Sequence, residues 1–281
     1  MKDRVFEISS DVENIAGKQW ETLGISNDFI FGKVMQNEEL LTELIRMILP
    51  ELHFAKLNII AQKSEEMGLD IHGVRFDIFA TDEAGRVIEI EMQVIDTRDL
   101  QKRSRYYGTA IDQTMLDKGV AYSRLSDSYV ILICPFDPFG DGLHKYTFTN
   151  RCHEVDGLEL GDGTTKIFLN ADSDVDDVSK ELRDFLDYVD GKDVDSDYVR
   201  EVDEAVKAAR MNKEWRNQYM TMLMRDLENK EIGREEGEQN ALVQSIKNLM
   251  NNLKMNIDQA MDALGIPSDQ RSLYAGLVNQ K

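Results

Sequence analysis

Apolar side chains recur along the chain in two spacings, one helical and one extended. Over residues 28–49 they follow the three-and-four spacing of an amphipathic helix, and Pro50 is expected to end it. Three strand-like runs follow at 57–61, 74–80 and 87–94, and turn-forming residues separate the last two runs. The pattern therefore predicts a helix and three strands, of which the last two form a hairpin.

Further helices and strands are predicted between the hairpin and residue 195. Residues 97–118 predict a long helix, and the continuous apolar run at 129–134 is typical of a strand buried on both faces. Shorter strands are predicted at 146–148 and 166–169, and an acidic helix near 175–190. The predicted order is α-β-β-β-α-β, followed by a β-rich extension.

The C-terminal part has a different character. Residues 198–255 form almost uninterrupted helix-forming sequence without proline. We therefore predict a core domain at 1–195 and a helical accessory or dimerisation domain at 196–281. The last helices could also form a small helix-turn-helix that contacts DNA, but Arg271 is their only internal basic residue, which favours a packing role.

Composition favours a cytoplasmic protein. Two cysteines among 281 residues are too few for a disulfide scaffold. No apolar run approaches the roughly 20 residues that cross a bilayer, and the first residues lack the apolar stretch of a signal peptide. We expect no membrane association. No phosphate-binding loop or dinucleotide fingerprint is visible, so we expect no nucleotide cofactor. The four histidines lack metal-ligand spacing with the cysteines, which argues against a zinc site.

The formal net charge of −20 opposes general attraction to nucleic acid. The charge is unevenly distributed, however. Residues 154–197 contain fifteen acidic residues against four basic ones. Exposed charges more than about 10 Å apart are largely screened at ~0.1 M salt, so a local basic surface can still bind phosphate. Such a surface is predicted in the segment that contains Arg98, Lys102, Arg103 and Arg105.

The predicted hairpin places acidic residues from two strands beside each other. The register that keeps its apolar residues on one face pairs Ile78 with Ile90, and this register places Asp77 opposite Glu91. Opposed like charges destabilise a sheet, so the repulsion between these two carboxylates must be offset by a ligand or screened by solvent. A divalent cation is one such ligand, since Mg²⁺ favours one or two carboxylates together with water and phosphate oxygens. A solvated strand face is the other possibility, and spacing alone leaves both open.

These residues carry a resemblance to a known superfamily. Asp77 followed by Glu91-Met92-Gln93 resembles the D-(x)n-E-x-Q form of the PD-(D/E)xK nuclease signature, and the predicted element order is similar to the αβββαβ core of that superfamily. More narrowly, the chain resembles the Rpn family of recombination-promoting nucleases, often labelled transposases. The matching segments span residues 28 to about 170, with weaker similarity in the tail: Phe76-Asp77-Ile78, Ile90-Glu91-Met92-Gln93, Lys102-Arg103-Ser104-Arg105-Tyr106-Tyr107, Lys118-Gly119-Val120-Ala121-Tyr122 and Gly233-Arg234-Glu235-Glu236-Gly237.

The resemblance implies a fold and a set of residue roles. The fold would be α/β, with a restriction-endonuclease-like αβββαβ core and a helical C-terminal domain. Asp77 and Glu91 would bind Mg²⁺ or another divalent cation, together with the backbone carbonyl of Met92. The cation would activate a bound water and neutralise charge on the scissile phosphate. Gln93 stands where the usual pattern has lysine; it cannot act as a cation or a base, but it can orient the attacking water.

The same resemblance places the helix after the hairpin near the metal. Arg103 and Tyr107 are four residues apart and share a helix face. Arg103, with Lys102 and Arg105, would bind phosphate, and Tyr107 would pack against a sugar or base. The alternative is a solvated arginine and a half-buried tyrosine. Three glutamates of the first helix are candidates for a further ligand, although any of them could simply be exposed: Glu38, Glu39 and Glu43.

The expected function is hydrolysis of phosphodiester bonds in double-stranded DNA by a Mg²⁺-dependent endonuclease with a role in recombination. A homodimer is expected because two sites cut two strands more easily. One alternative is a binding module with the same fold and weak or lost catalysis, which the net charge favours slightly. The other is a transposase that joins strands as well as cutting them, as the family label suggests.

Overall fold

The structure, a computed structural model, describes residues 17–61, 64–65, 74–116 and 118–279. Helices and strands alternate over most of this length. Their bounds are α1 (17–22), α2 (Asp28–Val34), α3 (Glu38–Ile48), β1 (Leu57–Ala61), β2 (Ser64–Glu65), β3 (Val74–Arg75), β4 (Ile78–Asp82), β5 (Val87–Met92), α4 (Leu100–Met115), β6 (Ser128–Cys134), β7 (Lys145–Phe148), β8 (Thr164–Asn170), α5 (Lys180–Val189), α6 (Asp197–Met211), α7 (Lys213–Leu253), α8 (Ile257–Ala263) and α9 (Arg271–Asn279).

A six-stranded mixed sheet carries the elements of the predicted core. Its strand order is β1-β4-β5-β6-β8-β7. The central strands β5, β6 and β8 run parallel, and the outer pairs are antiparallel. Helix α4 connects β5 to the parallel strand β6, as a crossover helix does in a βαβ unit. This architecture confirms the predicted α/β class, with a restriction-endonuclease-like core and a helical C-terminal region.

The hairpin of β4 and β5 has the predicted register, because Ile78 pairs with Ile90. The prediction of one strand over 74–80 is wrong, however. β3 pairs with β2 in a separate two-stranded sheet, whereas β4 pairs with β1 and β5. The chain leaves one sheet and enters the other at Phe76 and Asp77, so Asp77 immediately precedes the strand.

Two predicted long helices are each divided by an asparagine. The single helix predicted over 28–49 is in fact α2 and α3, and the helix predicted over 198–255 is divided between α6 and α7. Asn37 and Asn212 each accept hydrogen bonds from two backbone amides of the helix that follows. Such side-chain caps begin a new helix where apolar spacing alone predicts continuity. The predicted cap Asn256 is confirmed as part of a capping box.

Helix α4 covers one face of the sheet. Side chains alternate along a strand, so Glu89 and Glu91 project to the same face as Val87, which packs in a cluster with α4. The two glutamates of β5 therefore point toward α4. The buried cluster consists of Phe76, Phe79, Val87, Leu100, Tyr107, Ala110, Ile111, Val130, Leu132, Cys134, Tyr146 and Phe168.

The structure divides into two compact units, and the chain passes from the larger to the smaller between Arg216 and Asn217. In the larger unit, α6 contacts α2 and α5. In the smaller unit, the end of α7 packs with α8 and α9 around Ile246 and Met261. The predicted domains, 1–195 and 196–281, are defined by independent folding and function and not by compactness, so they stay a prediction. Within the described residues, no helix has the length and apolar character that a membrane span requires.

Candidate active site

Three polar side chains of β5 and the residue after it are buried. Glu89 is 0% exposed, Glu91 7% and Gln93 6%. They are covered because β5 lies between β4 and β6 in the sheet, and α4 packs on the face to which they point. The solvated strand face, which the spacing left open, is therefore wrong. Buried polar groups normally have hydrogen-bond partners, and the partners of these residues come mostly from α4.

Glu91 is held by two side chains from consecutive turns of α4. Arg103 Nη2 donates to Glu91 Oε1 over 2.5 Å, and the Tyr107 hydroxyl donates to the same oxygen over 2.9 Å. Arg103 Nη2 also donates to the Tyr107 hydroxyl oxygen over 2.7 Å. The predicted common face of Arg103 and Tyr107 is confirmed. The alternative of a solvated arginine and a half-buried tyrosine is wrong, since both side chains bind Glu91 and Tyr107 is buried.

Both ends of the Gln93 amide bind protein atoms. Arg103 Nη1 donates to Gln93 Oε1 over 2.6 Å, and Gln93 Nε2 donates to the carbonyl of Ile95 over 2.6 Å. The backbone amide of Gln93 donates to the carbonyl of Ile133 and so extends the contact between β5 and β6. The orientation of the amide is therefore set, with its oxygen toward α4.

Asp77 lies beside the end of β5. Its Oδ2 accepts a hydrogen bond from the backbone amide of Met92 over 3.3 Å. Asp77 is partly exposed, whereas the neighbouring carboxylates of Glu89 and Glu91 are buried. Asp77 thus lies at the end of the hairpin beside Met92, which stands between Glu91 and Gln93, but the predicted direct pairing of Asp77 with Glu91 is not part of the ladder, whose paired residues begin at Ile78. Their catalytic roles stay predictions.

Glu89 is a member of this cluster to which sequence reasoning assigned no role. Both of its carboxylate oxygens, and Oε2 of Glu91, are buried and accept no hydrogen bond from the described residues. Burial raises the pKa of Glu89 well above its usual range, and the negative charges of Glu91 and Asp77 raise it further, against the opposing charge of Arg103. The signal in the sequence was its position two residues before Glu91 on the same strand face.

Burial also raises the pKa of Glu91. The hydrogen bond from Tyr107 and the charge of Arg103 act in the opposite direction, and the charge of Asp28 on α2 adds to the increase. Burial, followed by the charge of Glu91, raises the pKa of the Tyr107 hydroxyl, which therefore stays protonated and donates a hydrogen bond to the carboxylate. Glu91 thus lies among other acidic side chains, with Arg103 as the neighbouring positive charge.

The other predicted residues lie outside this hydrogen-bonded cluster. Glu38, Glu39 and Glu43 are exposed on α3 and line a surface cavity together with residues of α5 and α6. The acidic residue of the first helices whose charge acts on Glu91 is instead Asp28, which was not among the candidates. Lys102 and Arg105 are exposed on α4 and are available to a ligand in solution.

The cluster fits a hydrated divalent cation better than a closed metal site. Within residues 17–61, 64–65, 74–116 and 118–279, no three histidine, cysteine or acidic side chains are close enough to form a metal site by themselves. Mg²⁺, however, needs only one or two carboxylates when water and phosphate supply the remaining oxygens. Oε2 of Glu91 accepts no hydrogen bond from the described residues, and Asp77 binds the amide of the next residue, Met92, so these two carboxylates are suited to such a cation.

A mixed sheet whose hairpin brings Asp77 and Glu91 together under a crossover helix defines the class of PD-(D/E)XK nuclease folds. The family model for PD-(D/E)XK nuclease family transposases matches residues 26–181, which is more than half of the chain, and the chain belongs to this family. The match confirms the suspected relationship. No curated protein and no solved structure matches the chain.

Proposed function

We propose that this protein is a metal-dependent endonuclease that hydrolyses phosphodiester bonds in double-stranded DNA. The main supporting observation is that three carboxylate oxygens, both of Glu89 and Oε2 of Glu91, are buried and accept no hydrogen bond from the described residues. Burying negative charge without a partner is costly, so these oxygens favour either a proton or a cation. Family membership, which rests on residues 26–181, supports a nuclease or transposase role for the protein.

Asp77 and Glu91, with the carbonyl of Met92, would hold Mg²⁺ or another divalent cation. When bound, the cation supplies a water of lowered pKa and neutralises charge on the phosphate. Gln93 makes two side-chain hydrogen bonds with the described residues, which leave one N–H and one oxygen lone pair of its amide to orient the attacking water. The water oxygen would form a bond to phosphorus and release a proton to solvent, the bond from phosphorus to the leaving oxygen would break, and that oxygen would take up a proton from solvent.

Helix α4 is the proposed DNA-binding element. Lys102 and Arg105 are exposed on it and would bind backbone phosphates, while Arg103 and Tyr107 lie at the carboxylates. A homodimer would place two such centres on the two DNA strands. Cytoplasmic location and a role in recombination belong to the same proposal and rest on composition and on the family resemblance.

Two observations favour other functions. The family's description as transposases favours a protein that also joins strands. The net charge of −20 favours a module that binds a partner without cleaving DNA. The first would produce joined DNA, and the second would bind DNA, if at all, without regard to Mg²⁺.

Plasmid cleavage tests these functions directly. Supercoiled plasmid is incubated with wild-type protein, Asp77→Ala and Glu91→Ala, with Mg²⁺ or with EDTA. Glu204→Ala, which removes an exposed carboxylate on α6, is the matched control. We expect nicked and linear plasmid only with Mg²⁺, a loss of at least about 100-fold in the two site variants, and little change in the control. Cleavage that survives both site substitutions would place the chemistry elsewhere.

A further inference from the structure

The guanidinium of Arg103 is fixed by three hydrogen bonds inside the cluster. Nη1 donates to Gln93 Oε1, and Nη2 donates both to Glu91 Oε1 and to the Tyr107 hydroxyl. These bonds use three of the five N–H donors of an arginine, and no other described residue accepts a hydrogen bond from Nε–H or from the second N–H of Nη1, which leaves these two donors for a ligand. The side chain of Arg103 is therefore fixed in position, unlike an exposed arginine that becomes ordered only when it binds phosphate.

The side chain of Arg103 keeps its positive charge inside the cluster. An arginine side chain does not lose its proton in proteins, whether it is exposed or buried. The guanidinium thus remains protonated next to Glu91. It is a permanent positive charge in a half-buried position, where electrostatic interactions are stronger than in water.

Gln93 is arranged to hold this charge. Its amide nitrogen is bound to the carbonyl of Ile95, so its oxygen must face Arg103. A neutral amide cannot itself compensate the charge that develops on a phosphate during hydrolysis. A cation that is already fixed can do so without reorganising when the reaction occurs.

We propose that Arg103 is the fixed cation of the cleavage centre and that Gln93 is the residue that positions it. Glu91 on β5 and Gln93 directly after it direct the guanidinium from α4 into the centre, and its two remaining N–H groups bind the non-bridging oxygens of the reacting phosphate. This inference rests on the proposed function. It separates Arg103 from Lys102 and Arg105, which bind DNA without taking part in the reaction.

Two other roles for Arg103 make different predictions. If it only anchors DNA, its removal would weaken DNA binding and raise KM while kcat stays the same. If it blocks the site by occupying Glu91 in place of the metal, its removal would tighten Mg²⁺ binding and raise kcat. A fixed cation instead contributes mainly to kcat, because its interaction strengthens as charge develops in the transition state.

The test compares Arg103→Ala, Arg103→Lys and the double variant Gln93→Lys/Arg103→Ala, which returns a cation from the strand instead of the helix. Arg151→Ala is the matched control, since Arg151 is an exposed arginine that also pairs with a glutamate. Three quantities are measured on the full chain: kcat and KM for cleavage with Mg²⁺, the Kd for duplex DNA in EDTA, and the Kd for Mg²⁺ by calorimetry without DNA.

For Arg103→Ala we expect kcat to fall by about 10²–10³-fold, with KM and the Kd for DNA changed by less than about threefold. Added guanidinium ion restores part of kcat, which distinguishes lost chemistry from lost folding. Arg103→Lys and the double variant each regain about tenfold or more over Arg103→Ala. Arg151→Ala behaves as wild type.

The possible failures are distinguishable. Wild-type protein that does not cleave DNA with Mg²⁺ would overturn the proposed function and this inference with it. Wild-type cleavage with an unchanged or raised kcat in Arg103→Ala would overturn this inference alone. So would a loss in Arg103→Ala that neither guanidinium nor a lysine at either position relieves.

Discussion

Glu89 lies wholly inside the protein, and its carboxylate accepts no hydrogen bond from the described residues. Burial, together with the charges of Glu91 and Asp77, raises its pKa well above the usual value of 4.5. In the unfolded chain the same carboxyl group is solvated and titrates near that usual value. Over the pH range between the two values, the folded protein therefore holds a proton that the unfolded chain has lost.

This difference makes stability depend on pH in a definite direction. Below about pH 4.5 both states are protonated, and Glu89 adds no pH dependence. As pH rises from there to the folded pKa, the unfolded state binds fewer protons than the folded state, so the free energy of unfolding decreases. The loss is complete once Glu89 ionises in the folded protein.

Glu89→Gln should remove this loss, because glutamine has a similar shape and does not titrate. In EDTA, the free energy of unfolding of the variant should exceed that of wild type at pH 8, and the difference should shrink toward pH 4.5. Urea unfolding across this pH range measures the difference in unfolding free energy. Glu204→Gln is the control, because it makes the same substitution at an exposed position. A difference between Glu89→Gln and wild type that does not vary with pH would contradict the account.

At the scale of residues, the sequence predicts which side chains lie close together, but it does not predict which hydrogen bonds they form or how deeply they are buried. Strand alternation and helix spacing are local rules, and they correctly grouped Asp77, Glu91 and Gln93, and separately Arg103 with Tyr107. The bond between Arg103 and Gln93 depends instead on how α4 packs on the sheet. No local spacing determines that packing, and the complete burial of Glu89 escaped prediction for the same reason.

At the scale of elements, most helices and strands follow from apolar spacing, and the errors have identifiable causes. Apolar periodicity continues through Asn37 and Asn212, but each asparagine side chain begins a new helix by capping it. The break at Phe76 and Asp77 reflects a change of partner strand, which periodicity cannot show. Capping residues inside a periodic run were the signal available in the sequence.

The junction before β8 provides a test of local geometry. Gly163 has a φ of +73°, and a Cβ there would lie 2.3 Å from Oδ1 of Asp127. Its carbonyl accepts the amide of Ser128, so it connects the starts of β6 and β8. Gly161 has a similar φ of +69°, but a Cβ there would meet nothing within 4 Å.

We expect Gly161→Ala to cost about 1–2 kcal/mol of unfolding free energy, from backbone strain alone. Gly163→Ala should cost at least about 1 kcal/mol more, because a side chain there must displace Asp127 in the closely packed start of the sheet. Urea unfolding of the two variants gives the difference directly. Equal losses would show that Asp127 moves aside freely.

At the scale of the whole molecule, net charge and local charge oppose each other. Residues 154–197 hold fifteen of the acidic side chains, and the net charge of −20 repels DNA at long range. Screening confines that repulsion to about 10 Å at ~0.1 M salt, whereas phosphate contacts by Lys102 and Arg105 would act at short range. DNA binding should therefore depend on where the cations lie more than on the total charge.

The double variant Lys102→Ala/Arg105→Ala tests this dependence against a double variant with the same total charge. Arg151→Ala/Lys207→Ala also removes two exposed cations, so both proteins carry −20 − 2 = −22. If α4 binds phosphates, only the first variant should lose affinity, and its slope of log K against log salt should become shallower by about 2, roughly 0.9 for each lost contact. Fluorescence anisotropy with duplex DNA in EDTA measures both slopes. Equal weakening in the two variants would mean that total charge controls binding, and α4 would then no longer be the DNA-binding element.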